Sequence, residues 1–312
     1  MQVTPQFHCY LFLENNSMIC KICNEDFGFK NEFLNVKDSY SYVTCQFCGS
    51  GFLYPMPDPK TFQEKYLKEE YYENLSGKKL NLFLDFLLKI SLYSSPVSYV
   101  LNLGIKNGEV LDIGCGNGEF LNSLKKQGFE VSGSDFSELA LSRTQKLIGI
   151  SKKSLFLGDF SKIKFDSKYN IISFWHVLEH VEDPSSYIKK SYSILENDGV
   201  VVGEVPNYDS AILKIFKENY NWIMIPEHIN YFSERGLRNL LLTVGYKDIK
   251  ISNPNRAILN FTFSFKNFLN RHIPDTLMLD LLVGLSILFS IPFMIILSYF
   301  KKGEVLRFYA KK

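Results

Sequence analysis

Four of the six cysteines stand in two pairs, Cys20-Lys21-Ile22-Cys23 and Cys45-Gln46-Phe47-Cys48, with 21 residues between them. A C-x-x-C knuckle aims two thiolates at one point, and two knuckles close a tetrahedral four-sulfur site. The spacing therefore predicts one structural zinc ion in a ribbon-like unit. Unligated thiols are the plainer reading, and a redox role explains two pairs at ribbon spacing less well than one ion does. Cys9 and Cys115 are left over. The ribbon carries Lys21, Lys30 and Lys37 against Glu25, Asp26, Glu32 and Asp38, so it has no basic cluster for nucleic acid.

A second concentration of chemistry begins at Val110. Val110-Leu111-Asp112-Ile113 is an apolar strand that runs into Gly114-Cys115-Gly116-Asn117-Gly118, and Glu119 opens a helix. Glycines let the backbone approach a ligand and adopt positive φ, while the helix start offers free N–H groups. Glu119 stands where a dinucleotide fingerprint needs Gly or Ala, and the Gly-Lys-Ser/Thr of a P-loop is absent. Two more acids follow at strand ends. Asp135 lies 23 positions beyond Asp112, where a carboxylate can accept from both hydroxyls of a ribose. Asp159, in Gly158-Asp159-Phe160, is placed to accept from an adenine amino group, with Phe160 beside it to pack on the ring. Each acid alone reads as a strand end or a helix cap; three in order read as a nucleoside site.

The elements that must position these residues alternate. Strands are predicted at Glu109–Asp112, Phe129–Asp135, Ser154–Asp159, Tyr169–His176, Val200–Pro206 and Tyr246–Ser252. Between them, Asp183 caps a helix with Pro184 at its first position, closed by Asp198-Gly199. Ser233 caps another that runs to Val244 and stops at Gly245. Strands alternating with helices make a parallel, doubly wound α/β sheet, with ligands at the carboxyl ends of its strands. Thr61 to about Leu103 reads as a helical lead, interrupted at Ser94-Ser95-Pro96.

The segments EVLDIGCGNGEF, VSGSDFS, LGDF and FWHVLEHVEDP resemble those of the class I S-adenosylmethionine-dependent methyltransferases, over about residues 109–252 and the last ten. Val205-Pro206-Asn207, the Pro226-Glu227-His228-Ile229-Asn230-Tyr231-Phe232 segment and the paired cysteines look like a bacterial branch common among glycan and small-molecule methyltransferases. The resemblance implies a Rossmann-like seven-stranded sheet. It implies that Gly114, Gly116 and Gly118 border the methionine part of the cofactor, that Asp112 anchors it through the loop, and that Asp135 holds the ribose. It gives the adenine to Asp159 and Phe160. Trp175 and His176 fall where the family's post-strand segment passes cofactor and substrate.

Methyl transfer from a sulfonium needs no general acid, and much of the catalysis can come from alignment. A hydroxyl acceptor also benefits from a base with pKa near 7. The chain has five histidines: His8, His176, His180, His228 and His272. In this resemblance His228 follows the fifth strand on the substrate side and is the first candidate base. His176 is the second, and Glu179-His180 reads as structural.

From Leu281 to Phe300 no residue is charged, and Lys301-Lys302 follow. The length meets the criterion for a membrane span. However, residues 303–312 look like the final strand of the methyltransferase sheet, antiparallel to Tyr246–Ser252. A single crossing would strand it on the wrong side, so the run must cross twice, re-enter, lie in the interface or pack as a soluble helix. Ala257–Ile273 suits an interfacial helix, and Pro292 can kink the run. Of the net charge of +2, residues 254–312 carry +5, which suits an anionic leaflet.

The expected organisation is a zinc-ribbon-like unit at 1–59, a helical lead at 60–103, a cofactor-binding core at 104–253, an apolar helical insertion at 254–302 and the last strand at 303–312. The N-terminus carries no secretory signature. The expected protein is a cytoplasmic methyltransferase at the inner membrane face. Its acceptor is a small molecule or glycan, most readily a sugar or lipid-linked hydroxyl, and nucleic acid is excluded. A quinone or lipid methyltransferase is the alternative enzyme, and a non-catalytic binding protein the alternative class.

Overall fold

The computed structural model describes residues 18–27, 33–37, 40–58, 95–254, 258–270 and 301–312, with helical positions between 282 and 300. The core is a seven-stranded sheet. Its strands are β6 (Glu109–Ile113), β7 (Glu130–Asp135), β8 (Leu155–Leu157), β9 (Tyr169–Trp175), β10 (Leu195–Pro206), β12 (Lys247–Ser252) and β13 (Val305–Lys311), in the order β12-β13-β10-β9-β6-β7-β8. The five strands from β10 to β8 run parallel. β13 inserts antiparallel between β10 and β12. This is the doubly wound, Rossmann-like sheet the alternating pattern predicts. Val110, Leu111, Ile171, Ile172 and Phe174 are fully buried, because helices cover both faces of a parallel sheet. The chain leaves β6 towards β7 and returns to β9 on the other side. The crevice of the sheet therefore opens above β6 and β9.

Helix starts follow the side-chain caps. The helices introduced so far in the chain are α1 (Pro96–Leu101), α2 (Glu119–Lys125), α3 (Glu138–Ile148) and α4 (Pro184–Ile194). Asp183 caps α4 through the Ser186 N–H, and Ser137 caps α3 through the Ala140 N–H. The break expected at Ser94-Ser95-Pro96 falls at a helix start, where Ser95 accepts from the Ser98 N–H and caps α1. One expectation is corrected. Asp198-Gly199 does not close α4, which ends at Ile194. The chain is already in β10 there, and its register against β9 shifts between Leu195 and Val200. Asp198 stands at φ +67° inside that irregularity, so the turn-forming pair marks a bulge rather than a helix end. The lead predicted before Ser95 lies outside the described residues.

The second cysteine pair, Cys45 and Cys48, lies in a turn of a second sheet, and the first pair in the turn of a small hairpin. The strands of the sheet are β3 (Phe33–Lys37), β4 (Tyr40–Thr44), β5 (Gly51–Tyr54) and β11 (Asn230–Tyr231), in the order β11-β5-β4-β3; β1 (Met18–Ile19) and β2 (Asp26–Phe27) form the hairpin. β11 comes from the far side of the sequence and pairs antiparallel with β5. Three further α-helices are α5 (Ala211–Phe216), α6 (Glu234–Val244) and α7 (Ile258–Leu269). Ser233 caps α6 and Gly245 ends it in the left-handed region, as expected. α7 packs on α5, where Phe261 contacts Phe216 and Phe293. Among the described residues no helix is long and apolar enough to cross a membrane.

Candidate active site

β6 delivers Asp112 and the glycine loop to the crevice. The N–H groups of Gly114 and Cys115 donate to the Ser134 carbonyl at 2.7 and 3.1 Å, which binds the loop to β7. Gly116 and Gly118 both stand at positive φ, +53° and +78°. A side chain at Gly118 would strike Thr144, 2.8 Å away. One at Gly116 would point into open space. Packing thus requires glycine at Gly118, as at Gly114, where a side chain would strike Val177 2.7 Å away, whereas Gly116 keeps room for a ligand. Asp112 is buried and accepts from the Ser173 hydroxyl at 2.6 Å. Burial, opposed by that hydrogen bond and reinforced by the Asp135 charge, pushes its carboxyl up to about 7.

Asp135 ends β7 and braces the loop. Its oxygens accept from the Gly116 N–H at 3.1 Å and the Ser137 N–H at 2.9 Å. Each oxygen retains acceptor capacity for a hydroxyl. Asp159 is more heavily engaged. It accepts from the Ser161 N–H and hydroxyl and from Tyr187, at 2.8 to 3.0 Å, and pairs with Lys162. Burial works against its charge, but these partners hold its carboxyl below the ordinary range. Phe160 was expected to pack on the adenine. Its ring is 1% exposed and packs against Phe165, Phe174 and Tyr187. The ring that stands out at this end of the sheet is Phe136, 41% exposed directly after Asp135. An apolar residue after a strand-ending acid was the available sequence signal.

Two buried polar atoms in this region lack hydrogen-bond partners, Trp175 Nε1 and Asn117 Oδ1. A buried indole N–H and amide oxygen so left are costly. One donor and one acceptor beside an anion-ready loop suit the carboxylate and ammonium of an amino-acid ligand. The residues present therefore fit S-adenosylmethionine.

His176 follows β9 at φ +56°. Its Nδ1 lies 3.1 Å from Glu179 and its Nε2 3.3 Å from Glu204. Burial opposes its charge, but the two carboxylates outweigh this and raise the imidazole to about 10. It is protonated at neutral pH, which argues against the role of proton acceptor. Glu204 is in turn bound by the buried Arg307 of β13 at 2.6 and 2.8 Å.

His228 and His180 lie together, with ring centres 4.7 Å apart. His180 Nδ1 sits 2.8 Å from the Glu227 carbonyl, so it donates and leaves the lone pair on Nε2. The Tyr231 hydroxyl donates to the Trp222 carbonyl, so its oxygen accepts from His228 Nδ1 at 3.2 Å. His228 also carries its lone pair on Nε2. Burial lowers the pKa of His180. Spacing along the chain could not reveal this pairing, because 48 positions separate the two residues.

The four ribbon thiols converge. Cys20 and Cys48 have their Sγ atoms 3.7 Å apart, Cys23 and Cys45 3.8 Å, and all four lie within 4.8 Å. Sulfurs bound to one zinc at ~2.3 Å in a tetrahedron stand about 3.8 Å apart, so the donor set fits that ion. Cys115 is buried in the glycine loop, against Thr144; Cys9 lies outside the described residues.

A family model described as a methyltransferase domain matches residues 87–251. The chain belongs to this family, and its fold and loop are those of the class I S-adenosylmethionine-dependent methyltransferases. It is similar to the ubiquinone biosynthesis O-methyltransferase of Hydrogenovibrio crunogenus, 31% identical over 129 residues, which span 39% of this chain and 54% of that protein. The Pasteurella multocida protein of the same name is 32% identical over 111 residues, 31% of this chain and 46% of that one. The chain thus spans about half the length of the curated relatives it matches. Among solved structures, the magnesium protoporphyrin IX methyltransferase of Synechocystis PCC 6803 aligns with a TM-score of 0.52 at 15% identity, over 82% of this chain and all of that one. The 1,6-didemethyltoxoflavin-N1-methyltransferase of Burkholderia thailandensis gives 0.50 at 13%, over 90% and 99%. These two likenesses are of fold.

Proposed function

We propose that the protein methylates a hydroxyl of a small-molecule acceptor, using S-adenosylmethionine, beside a membrane surface. The observation that carries this reading is the convergence of the glycine loop, Asp135 and the His180–His228 pair at one end of the sheet. When bound, the cofactor supplies an electrophilic methyl group on a sulfonium. Gly114, Gly116 and Gly118 line its methionine end with Asn117 and Trp175, Asp112 fixes the loop, and Asp135 takes the ribose. Asp159 orders the turn beside the adenine, where Phe136 replaces Phe160 as the stacking ring. His228 takes the acceptor proton at Nε2, with Tyr231 holding its Nδ1. His176 is a fixed cation that orders Glu179 and Glu204. Cys20, Cys23, Cys45 and Cys48 bind structural zinc.

The membrane part rests on an inverted pattern in the insertion. Asn260, Thr262, Ser264, Ser286 and Ser290 are buried, whereas Phe263, Leu285, Ile296, Tyr299 and Phe300 are 45–83% exposed. Phe261, Phe265 and Phe293 also pack inward, but apolar side chains left outward beside buried polar ones suit contact with lipid. This argues for an acceptor with an apolar tail, either lipid-linked glycan or quinone. The names of the similar proteins favour a quinone precursor; the glycan expectation has no support among them. The test is labelled-methyl transfer to a demethylated quinone and to a lipid-linked sugar. His228→Ala is expected to reduce turnover at least about tenfold with cofactor binding retained. Absence of transfer to both acceptors, or unchanged turnover in the variant at saturating acceptor, overturns the reading.

A further inference from the structure

Trp175, Glu204 and Arg307 stand in one row across the sheet. Glu204 is the register partner of Trp175 in β9 and of Arg307 in β13. Register partners share a face of a sheet, so the three side chains rise on the same side. Ile113 pairs with Phe174, one residue before Trp175, which sets the row beside the first glycine of the loop.

Charge holds the row together. Arg307 is buried and donates from Nε and Nη2 to Glu204 Oε2 at 2.8 and 2.6 Å. Glu204 Oε1 lies 3.3 Å from His176 Nε2. Pinned in this way, the guanidinium stands 5.8 Å from the centre of the Trp175 ring and 5.1 Å from that of Tyr99 in α1. A cation within ~6 Å of an aromatic face is attracted to it. Phe120 of α2 meets the Trp175 ring edge-on at 5.4 Å. The indole plane is thus fixed, and its Nε1 is the buried donor without a hydrogen-bond partner.

A buried ion pair adds little stability over apolar residues of the same size. A donor that must meet a carboxylate gains from being held still, because a misplacement of ~1 Å forfeits much of an aligned interaction. We propose that Arg307, fixed by Glu204, is a positioning residue that holds the Trp175 N–H at the amino-acid end of the cofactor. The last strand thereby sets selectivity for a ligand that carries that end. The cofactor part rests on the proposed function, which puts Trp175 at the methionine end of S-adenosylmethionine. The placement of the ring by Arg307 does not.

The test compares two ligands by calorimetric titration of the full chain. S-adenosylhomocysteine carries the amino-acid end; 5′-methylthioadenosine keeps the nucleoside and lacks it. Glu204→Gln with Arg307→Met removes both charges and leaves neither buried alone. Affinity for S-adenosylhomocysteine should fall about tenfold, as loss of one hydrogen bond to a charged group does. Affinity for 5′-methylthioadenosine should stay within about twofold, since that ligand has no group for Trp175 to meet. Trp175→Phe removes the N–H but leaves the ion pair, and should lose the same preference even if the double variant does not fold. Equal losses for both ligands mean a structural role only and overturn the proposal, as does a Trp175→Phe chain that keeps the preference. The placement is read without any ligand. The chain has two tryptophans, so Trp222→Phe leaves Trp175 as the only one. Adding Glu204→Gln and Arg307→Met there should shift its emission to the red and raise its quenching by acrylamide. Unchanged emission and quenching overturn the proposal whatever the ligands do. A wild type that binds neither ligand overturns the cofactor part together with the methyl-transfer reading, and the emission result still decides whether Arg307 holds the ring.

Discussion

Phe136 and Phe160 flank the same strand ends but live in opposite environments. The Phe160 ring packs against three aromatic neighbours and contributes to the core. Removing it leaves a cavity, so Phe160→Ala should cost about 3–5 kcal/mol of folding stability. The Phe136 ring, 41% exposed, should matter to the nucleoside instead. Phe136→Ala is expected to leave stability within about 0.5 kcal/mol and to weaken cofactor affinity about tenfold, as loss of one aromatic stacking partner does. Denaturant unfolding and calorimetric titration of both variants check this; equal affinity losses in the two would contradict it. The three acids were legible in the sequence because a strand-end acid has a chemical job and a fixed place. The choice between two phenylalanines was not, because it depends on which side of the chain the core lies. The charge on His176 was hidden for the same reason, since Glu204 reaches it from a neighbouring strand.

At the scale of elements, the last strand was legible and the face of the insertion was not. Residues 305–311 alternate little and are nearly all buried, as a strand between two others requires. Its Arg307 lies against buried Glu204, a pairing that a one-residue slip would break. The insertion shows two faces in its sequence, but periodicity does not say which face meets the body. In α7 the face that meets the body mixes the two: Asn260 donates to Glu304 at 2.6 Å and the Asn221 N–H donates to Ser264 at 2.9 Å, while Phe261 and Phe265 pack beside them on the buried cluster of α5. The outward Phe263 and Ile296 are 45% and 53% exposed. Burying each in lipid is worth about 1.5–3 kcal/mol. Phe263→Glu with Ile296→Glu should therefore cut co-sedimentation with anionic vesicles at least tenfold while the thermal midpoint stays put. Vesicle binding that survives both changes would mean that these side chains do not carry it.

The whole molecule joins the ribbon to the chemistry by backbone. Read from sequence, the ribbon is a separate unit that packs against the core. In the structure, β11, the strand directly after His228, is the edge of the ribbon's own sheet. The Leu53 N–H donates to the Ile229 carbonyl at 3.0 Å, and Tyr42 donates to the His228 carbonyl at 2.7 Å. Ser233 donates to the Cys48 carbonyl and caps α6 through the Gly236 N–H. The residue that would take the proton is thus held by a sheet whose far end is tied by four thiols. A metal ion there stabilises the folded form by linkage. Its loss should reach His228 before it reaches the glycine loop, which hangs from β6 and β7. Cys48→Ser is expected to lower turnover at least about tenfold, as displacement of a general base does. Cofactor affinity should change less than about threefold, and the thermal midpoint should fall by several degrees. The decisive quantity is the ratio of the two effects. A Cys48→Ser protein that loses cofactor binding and turnover together would show a general unfolding. One that keeps full turnover would show that the ribbon's sheet does not position His228.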